Sequence, residues 1–475
     1  MTKRPLPLIA ALVAVAALLV PSGALANVPP APDLVQPSDL TVQVTPVATM
    51  PLVNGPGVVP GTFGPNLGSP VAVRNELYLI DQNDAIYRLN GSAGVQKIFG
   101  VDESPDGLLL DNRQSILNIA PGRRANSLYV MFTAGNRPTT SIPVYGMPAP
   151  LPGVCCDPGA PIPVDDLYRI GPVPGPLAFF GTTRTEYQVL YEYRLAGNKL
   201  KNPRAIATFE TQSGPTHNGG GMLTLPDGRV LFATGDALPF GAEGRAAAQD
   251  SDEIVSKLLI IDPDDGSIEV AAQGIRNVQH LEYVDGAGGP AVAFGDIGGV
   301  TAEEINVVPL DTLLDTSFIE NFGWGRNEDG FAREGTFYVS PGLPLGFGEP
   351  AVDALAPSPE PGFIQPHAQY GRNDVNGGVA VSGPVTSTES FTTISAFFSD
   401  LASGVAKATT GPLTAIDTTV FRVNLVDETG SPLNSFQDLV PGRADPRFFR
   451  FPDGTAGVLI EATGKVYRLT QLPTP

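Results

Sequence analysis

The amino-acid sequence predicts an all-β propeller of four-stranded blades, on three observations from its 475 residues. Apolar residues come in short runs bounded by Gly, Pro, Asn and Asp, as in LYLIDQNDAIYRL from Leu77, VLFATGD from Val230, KLLIIDPDDGSIEV from Lys257 and VLIEATGKVYRL from Val458. Each reads as strands joined by a tight turn. Two signatures recur: Pro-Asp-Gly at 105–107, 226–228 and 452–454, and an aromatic-Arg-aliphatic triplet starting at Tyr87, Tyr168, Tyr193, Phe421 and Tyr467. Gly and Pro are abundant, at 54 and 48 residues, which suits many turns and few long helices. The irregular spacing fits blades with unequal loops better than a short-period solenoid. A pair of β-sandwiches or a parallel β-helix fits the same local signals.

From the N-terminus, Lys3 and Arg4 precede an apolar stretch from Leu8 to Val20, and Ala24-Leu25-Ala26 follows. This is the layout of a secretory signal peptide over residues 1–26, so the chain is expected outside the cytoplasm, secreted or periplasmic, after cleavage near Ala26. The stretch is short for a membrane span, and no later segment approaches the roughly 20 uncharged residues that crossing requires. Residues 27–62, rich in Pro, Val and Ala, read as an extended segment leading into a propeller domain at 63–471, with 472–475 as a tail. The segment 137–176 is Pro-rich and reads as a surface insertion between blades. It holds the two cysteines, Cys155 and Cys156. Being adjacent, they permit either a strained bridge between neighbours, which is the preferred reading, or two free thiols.

The turns and strands have physical reasons to repeat. In Pro-Asp-Gly, proline presets one turn angle, aspartate bonds the nearby backbone, and glycine takes a positive φ. The aromatic-Arg-aliphatic triplet suits a strand with alternating faces. DPDDG at 262–266 lies between two such strands and reads as a hairpin turn. The net charge of −20 makes nucleic acid and anionic lipid poor partners, while leaving room for divalent cations.

The stretch THNGGGMLTLPDGRVLFATGD carries the most chemistry. It places His217, one of three histidines, before three glycines, and Asp236 at the end of the following strand. A strand-turn-strand unit brings these ends together, so Asp236 can accept from one imidazole nitrogen while the other acts as a base. The glycines permit close approach of backbone or of a flat ligand. A structural histidine beside a glycine turn fits the same residues.

Several further segments, in order along residues 63–471, carry a resemblance. They are RQSILNIAPGRRANSLYVMFT, HNGGG with its following GD, GIRNVQHL, GDIGGVTAEEIN, NFGWGRNEDG, FFSDLASG and GRADPRFFRFPDGTAGVLIEATGKVYRL. Together they resemble the pyrroloquinoline quinone-dependent glucose/sorbosone (aldose sugar) dehydrogenases, in a branch that also resembles the propeller of hedgehog-interacting protein. The resemblance implies six blades and a quinone held at one face of the propeller. It implies that His217 is the general base for a sugar hydroxyl, that Asp236 orients it, and that Arg276 stabilises charge on the quinone oxygen. Gln114, Asn277 and Gln279 match positions that contact the cofactor.

A calcium ion accompanies the quinone in such enzymes, and Asp296, Glu303 and Glu304 supply the hard oxygens it prefers. They read equally as ordinary carboxylates at a strand entry. A small sugar substrate and an external electron acceptor are the implied partners. Trp324 is expected in the core. The chain departs from the pattern at Thr216 and Gly299, and none of Lys407, Arg443 and Arg447 aligns with the family's cations for the quinone carboxylates. Those departures keep a second reading open, a non-catalytic propeller that binds a glycan or a protein.

Overall fold

The computed structural model describes residues 35–51, 67–83, 85–89, 94–105, 108, 110, 115–135, 144–145, 184–213, 217–236, 247–286, 288–299, 302–325, 332–334, 337–339, 362–371, 380–440 and 443–474. Among these, strands form six sheets of four to six strands, arranged as a six-bladed β-propeller, and one separate two-stranded ribbon. The first strand of each blade lies innermost. These are Val71–Val73, Ile116–Pro121, Met222–Thr224, Leu281–Gly286, Val381–Val385 and Pro446–Arg450, and each neighbours the next around a closed ring.

The strands are apolar on both faces because each blade is buried on both sides. Adjacent residues such as Phe397 and Phe398, or Phe448 and Phe449, therefore point into different layers. Six core layers result, one between each pair of blades. Tyr78, Ile86 and Phe99 of the first blade pack on Phe132, Val189 and Tyr193 of the second. Met131, Leu190 and Phe209 then meet Phe232 and Leu259 of the third. Leu258 and Ile260 meet Val292 and Phe294 of the fourth, whose Ile305 and Tyr370 meet Phe398 and Val420 of the fifth. Phe397 meets Phe448 and Val458 of the sixth, and the ring closes where Leu459 and Val466 meet Leu77, Leu79 and Tyr87. Ring pairs between blades recur, at 5.3 Å for Phe99 and Tyr193, 5.8 Å for Phe209 and Phe232, and 5.6 Å for Phe397 and Phe448. Each such pair adds about 0.5–1.5 kcal/mol beyond area burial.

Two boundaries differ from expectation. Thr41–Thr49 pairs antiparallel with Lys465–Gln471 and parallel with Asn424–Val426, so the N-terminal segment supplies a strand to the last blade. Val35–Gln36 likewise pairs parallel with residues 420 and 421 in the fifth blade. The propeller thus begins inside the stretch read as an extension. Its inward residues Val42 and Val44 do alternate with polar ones, but their partner strand lies at the far end of the chain.

The second difference concerns the Pro-rich segment 137–176. Ser127–Ala134 and Arg184–Ala196, which flank it, pair antiparallel, so it interrupts the second blade instead of joining two blades. A long loop between paired strands costs only slowly growing closure entropy. Two of its residues, Val144–Tyr145, pair parallel with Lys199–Ser213. Residues 1–26, read above as a signal peptide, and Gln114, Cys155, Cys156, Thr216 and most of the insertion lie outside the described residues. No described helix is long and apolar enough to cross a membrane.

Candidate functional site

The third blade sets the geometry. Met222 pairs with Phe232 and Thr224 with Val230, so continuing the register outward puts residue 217 opposite the end of the strand that leads to Asp236. The continuation is real: Gly220 N donates to Ala233 O at 3.0 Å and Ala233 N to Gly221 O at 2.8 Å. A Cβ at Gly235 would lie 1.6 Å from His217 O, so only glycine allows the two segments to approach this closely. His217 itself has φ +64°. Its Nδ1 lies 2.9 Å from Asp236 Oδ1.

Arg276 reaches the same carboxylate, with Nε 3.7 Å from Asp236 Oδ2, an ion-pair distance rather than a hydrogen bond. Asp236 thus carries an imidazole on one oxygen and a guanidinium near the other. The arginine is fixed in place by Nη1, which donates to Ile297 O at 2.8 Å and Gly298 O at 2.5 Å. Its guanidinium carbon sits 5.1 Å from the centroid of the Trp324 ring. That tryptophan is buried as expected, and it also backs the site.

Behind the cluster, the Asp296 carboxylate accepts from Arg276 N at 3.0 and 2.9 Å and from Asn277 N at 2.8 Å. Arg276 O in turn accepts from Asp236 N at 2.8 Å. Burial, reinforced by the like charge of Glu304 paired across the strands, pushes Asp296 up to about 8. Glu303 points to the other face, where Oε2 accepts from Val381 N at 2.9 Å and Gly298 N at 3.2 Å. Asp296 and Glu303 therefore spend oxygens on backbone N–H groups of different segments. Among the described residues, no three His, Cys, Asp or Glu side chains are grouped to hold a metal ion.

Lys257 supports the cluster from below. It is fully buried and donates to Ala247 O, Ala248 O and Val255 O at 3.0, 3.2 and 2.8 Å. Desolvation pushes its ammonium down to about 8. The loop it gathers bonds Gly235 O through Ser256 N at 3.0 Å and receives Gly274 N on Ala248 O at 3.1 Å.

Gln279 leads to a residue that sequence reasoning left unassigned. Its Oε1 accepts from Arg447 Nη1 at 2.5 Å, so a cation of the last blade reaches the segment carrying Arg276 and Asn277. Arg447 is also held by Glu461, at 3.1 and 2.8 Å. Burial pushes the Glu461 carboxyl up to about 7 against the pull of Arg447, with Asp445 adding to the rise. The other two cations lie elsewhere. Arg443 is exposed and paired with Asp445 at 2.7 Å, and Lys407 is buried in the fifth blade, 4.3 Å from the Tyr370 ring centroid.

His217, Asp236, Arg276 and Asn277 are thus brought together, Gln279 and Arg447 adjoin them, and Asp296 stands behind. Asn277 Oδ1 accepts from Gly219 N at 3.1 Å. The signal that could have found Arg447 is weak, because its partner Gln279 is 168 residues away.

No protein-family profile matches the chain, and no curated protein sequence matches it. Solved structures do. The PQQ-bound aldose sugar dehydrogenase from Streptomyces coelicolor is similar with a TM-score of 0.50 at 17% identity, over 92% of this chain and 100% of that one. A putative oxidoreductase (glucose dehydrogenase) of Thermus thermophilus gives a TM-score of 0.53 at 15% identity, over 90% and 99%. A further glucose dehydrogenase gives 0.52 at 16%, over 86% and 97%. The fold is therefore the six-bladed propeller of these sugar dehydrogenases. Its structural neighbours are aldose sugar and glucose dehydrogenases, similar to this chain in fold at low identity.

Proposed function

We propose that this chain is an exported quinoprotein oxidoreductase that oxidises a hydroxyl of an aldose or related sugar and passes the electrons to an external acceptor. The observation that carries the reading is the Asp236 carboxylate, with the His217 imidazole at 2.9 Å on one oxygen and the Arg276 guanidinium at 3.7 Å from the other. With Nδ1 turned to Asp236, Nε2 is the nitrogen that would take the hydroxyl proton, and Asp236 would stabilise the imidazolium. Arg276, held rigid by two carbonyls, offers a fixed positive field where negative charge develops.

The residues present fit pyrroloquinoline quinone, the group bound in the Streptomyces structure. Arg276 would hold its ring oxygen, and Asn277 and Gln279 would line it. Arg447, the last-blade cation that reaches Gln279, would face its carboxylates. When bound, the quinone supplies the hydride-accepting centre. Calcium would accompany it through backbone carbonyls, since Asp296 and Glu303 are engaged with N–H groups. One observation favours the second reading, a propeller that binds a glycan or protein without turnover: Arg447 and Arg450 each already hold a buried glutamate, Glu461 and Glu282.

The test is to load the exported chain with pyrroloquinoline quinone and calcium and follow dye reduction over a sugar panel. Reduction by at least one aldose is expected, and His217→Ala should lower it by about a hundredfold or more with the fold intact. Absence of quinone binding, together with no reduction by any sugar, overturns the enzyme reading.

A further inference from the structure

The turn that carries His217 is gripped in a way that its own hydrogen bonds do not explain. Asn218 O accepts from Gln188 Nε2 at 3.2 Å, Gly219 N donates to Asn277 Oδ1 at 3.1 Å, and Gly220 O accepts from Asn118 Nδ2 at 2.5 Å. Three successive residues are thus each met by a side-chain amide. The amides come from three places: Gln188 from the strand Arg184–Ala196, Asn118 from the innermost strand Ile116–Pro121, and Asn277 from the segment after the third blade. All three side chains are buried, and Gln188 is 1% exposed.

The turn needs such support. His217, Gly219 and Gly220 have φ of +64°, +69° and +106°, and a left-handed histidine costs about 1–2 kcal/mol. Amides suit the task because they offer both donors and acceptors yet never ionise. They therefore add no charge beside the His217 and Asp236 pair.

Gln188 is the most telling of the three. Among the described residues its buried Oε1 has no hydrogen-bond partner, and its register partner Thr133 likewise leaves Oγ1 unpartnered. Neighbouring positions on the same face, Leu190 and Phe209, belong to the apolar layer between the second and third blades. A buried amide with one end unsatisfied is costly there, and an apolar residue of similar size would suit that layer better. Its one hydrogen bond to the protein goes to the residue next to His217.

We infer that Gln188, acting with Asn118, is a positioning residue that fixes the backbone of His217 so that the imidazole meets Asp236. Its catalytic meaning rests on the function proposed above, but the positioning itself can be read without quinone or sugar. The experiment compares Gln188→Leu with the native chain, both free of cofactor and labelled with nitrogen-15 on histidine. With only three histidines in the sequence, His217 is assigned by the loss of its signals in His217→Gln.

The expected result is a thermal midpoint equal to or above that of the native chain, together with a changed His217 tautomer ratio and loss of its protected Nδ1–H signal. Should the leucine branch not be accommodated, Gln188→Met provides the unbranched apolar version. In the dye assay, the folded variant should lose about tenfold in kcat with KM nearly unchanged, as expected of a misplaced base. A folded variant whose His217 signals match those of the native chain overturns the inference. A native chain that never reduces dye overturns the proposed function and leaves the NMR result standing.

Discussion

Glu461 shows how one side chain ties the site to the stability of the ring. Its Oε1 accepts from Leu67 N at 3.3 Å, where the chain enters the first blade, and its Oε2 holds Arg447. Burial raises the carboxyl from 4.5 to about 7, so the folded protein holds this proton more tightly than the unfolded one. The stability this contributes is full below pH 4.5 and is lost as pH rises through about 7. Calorimetry across that window should find a flatter profile for Glu461→Gln than for the native chain; parallel profiles would remove Glu461 from the account.

Legibility at this scale was uneven. His217 and Asp236 could be paired from sequence because the turn-strand spacing fixes which residues face one another. Arg276 and Asn277 came through motif resemblance. Asn118 and Gln188 were missed because one polar residue inside ILNIA or YQVLYEY reads as ordinary strand alternation, and nothing local says that it bonds a turn in another blade.

Among the elements, the loop gathered by Lys257 bears most directly on the site. One ammonium reaches three carbonyls, of which Ala247 O also accepts from Asp250 N and Ala248 O from Gly274 N. Among the described residues Val255 O thus depends on it alone, and the same loop bonds both Gly235 and Gly274. Lys257→Met keeps much of the stem but strands Val255 O, a buried carbonyl worth about 1–3 kcal/mol when left unsatisfied. A loss of about 1–3 kcal/mol is expected in urea unfolding, with the Asp236 segment loosened in hydrogen exchange. An unchanged midpoint would show that Val255 O finds another partner. The hairpin at 262–266 formed as its composition implied, with Gly266 at φ +77°, because its determinants are all local. The strand Thr41–Thr49 did not declare itself, because what makes it a strand is the edge of Lys465–Gln471.

At the scale of the whole molecule, every layer between blades is apolar and the sixth joins the last blade to the first. Cooperative unfolding follows from that arrangement, since opening any one layer exposes two faces at once. Removing residues up to Thr49 takes away strands from the fifth and sixth blades. The shortened chain should unfold at lower urea and with a broader transition than the full one, by circular dichroism. A transition of equal sharpness and midpoint would mean that closure does not depend on this strand. Thr41–Thr49 and the last strand, Lys465–Gln471, are hydrogen-bonded side by side, and this has a temporal side. During synthesis the ring can be latched only after its final residues have emerged. Until then Thr41–Thr49 lacks its antiparallel partner and Leu77, Leu79 and Tyr87 lack the face that covers them, so the ring stays open.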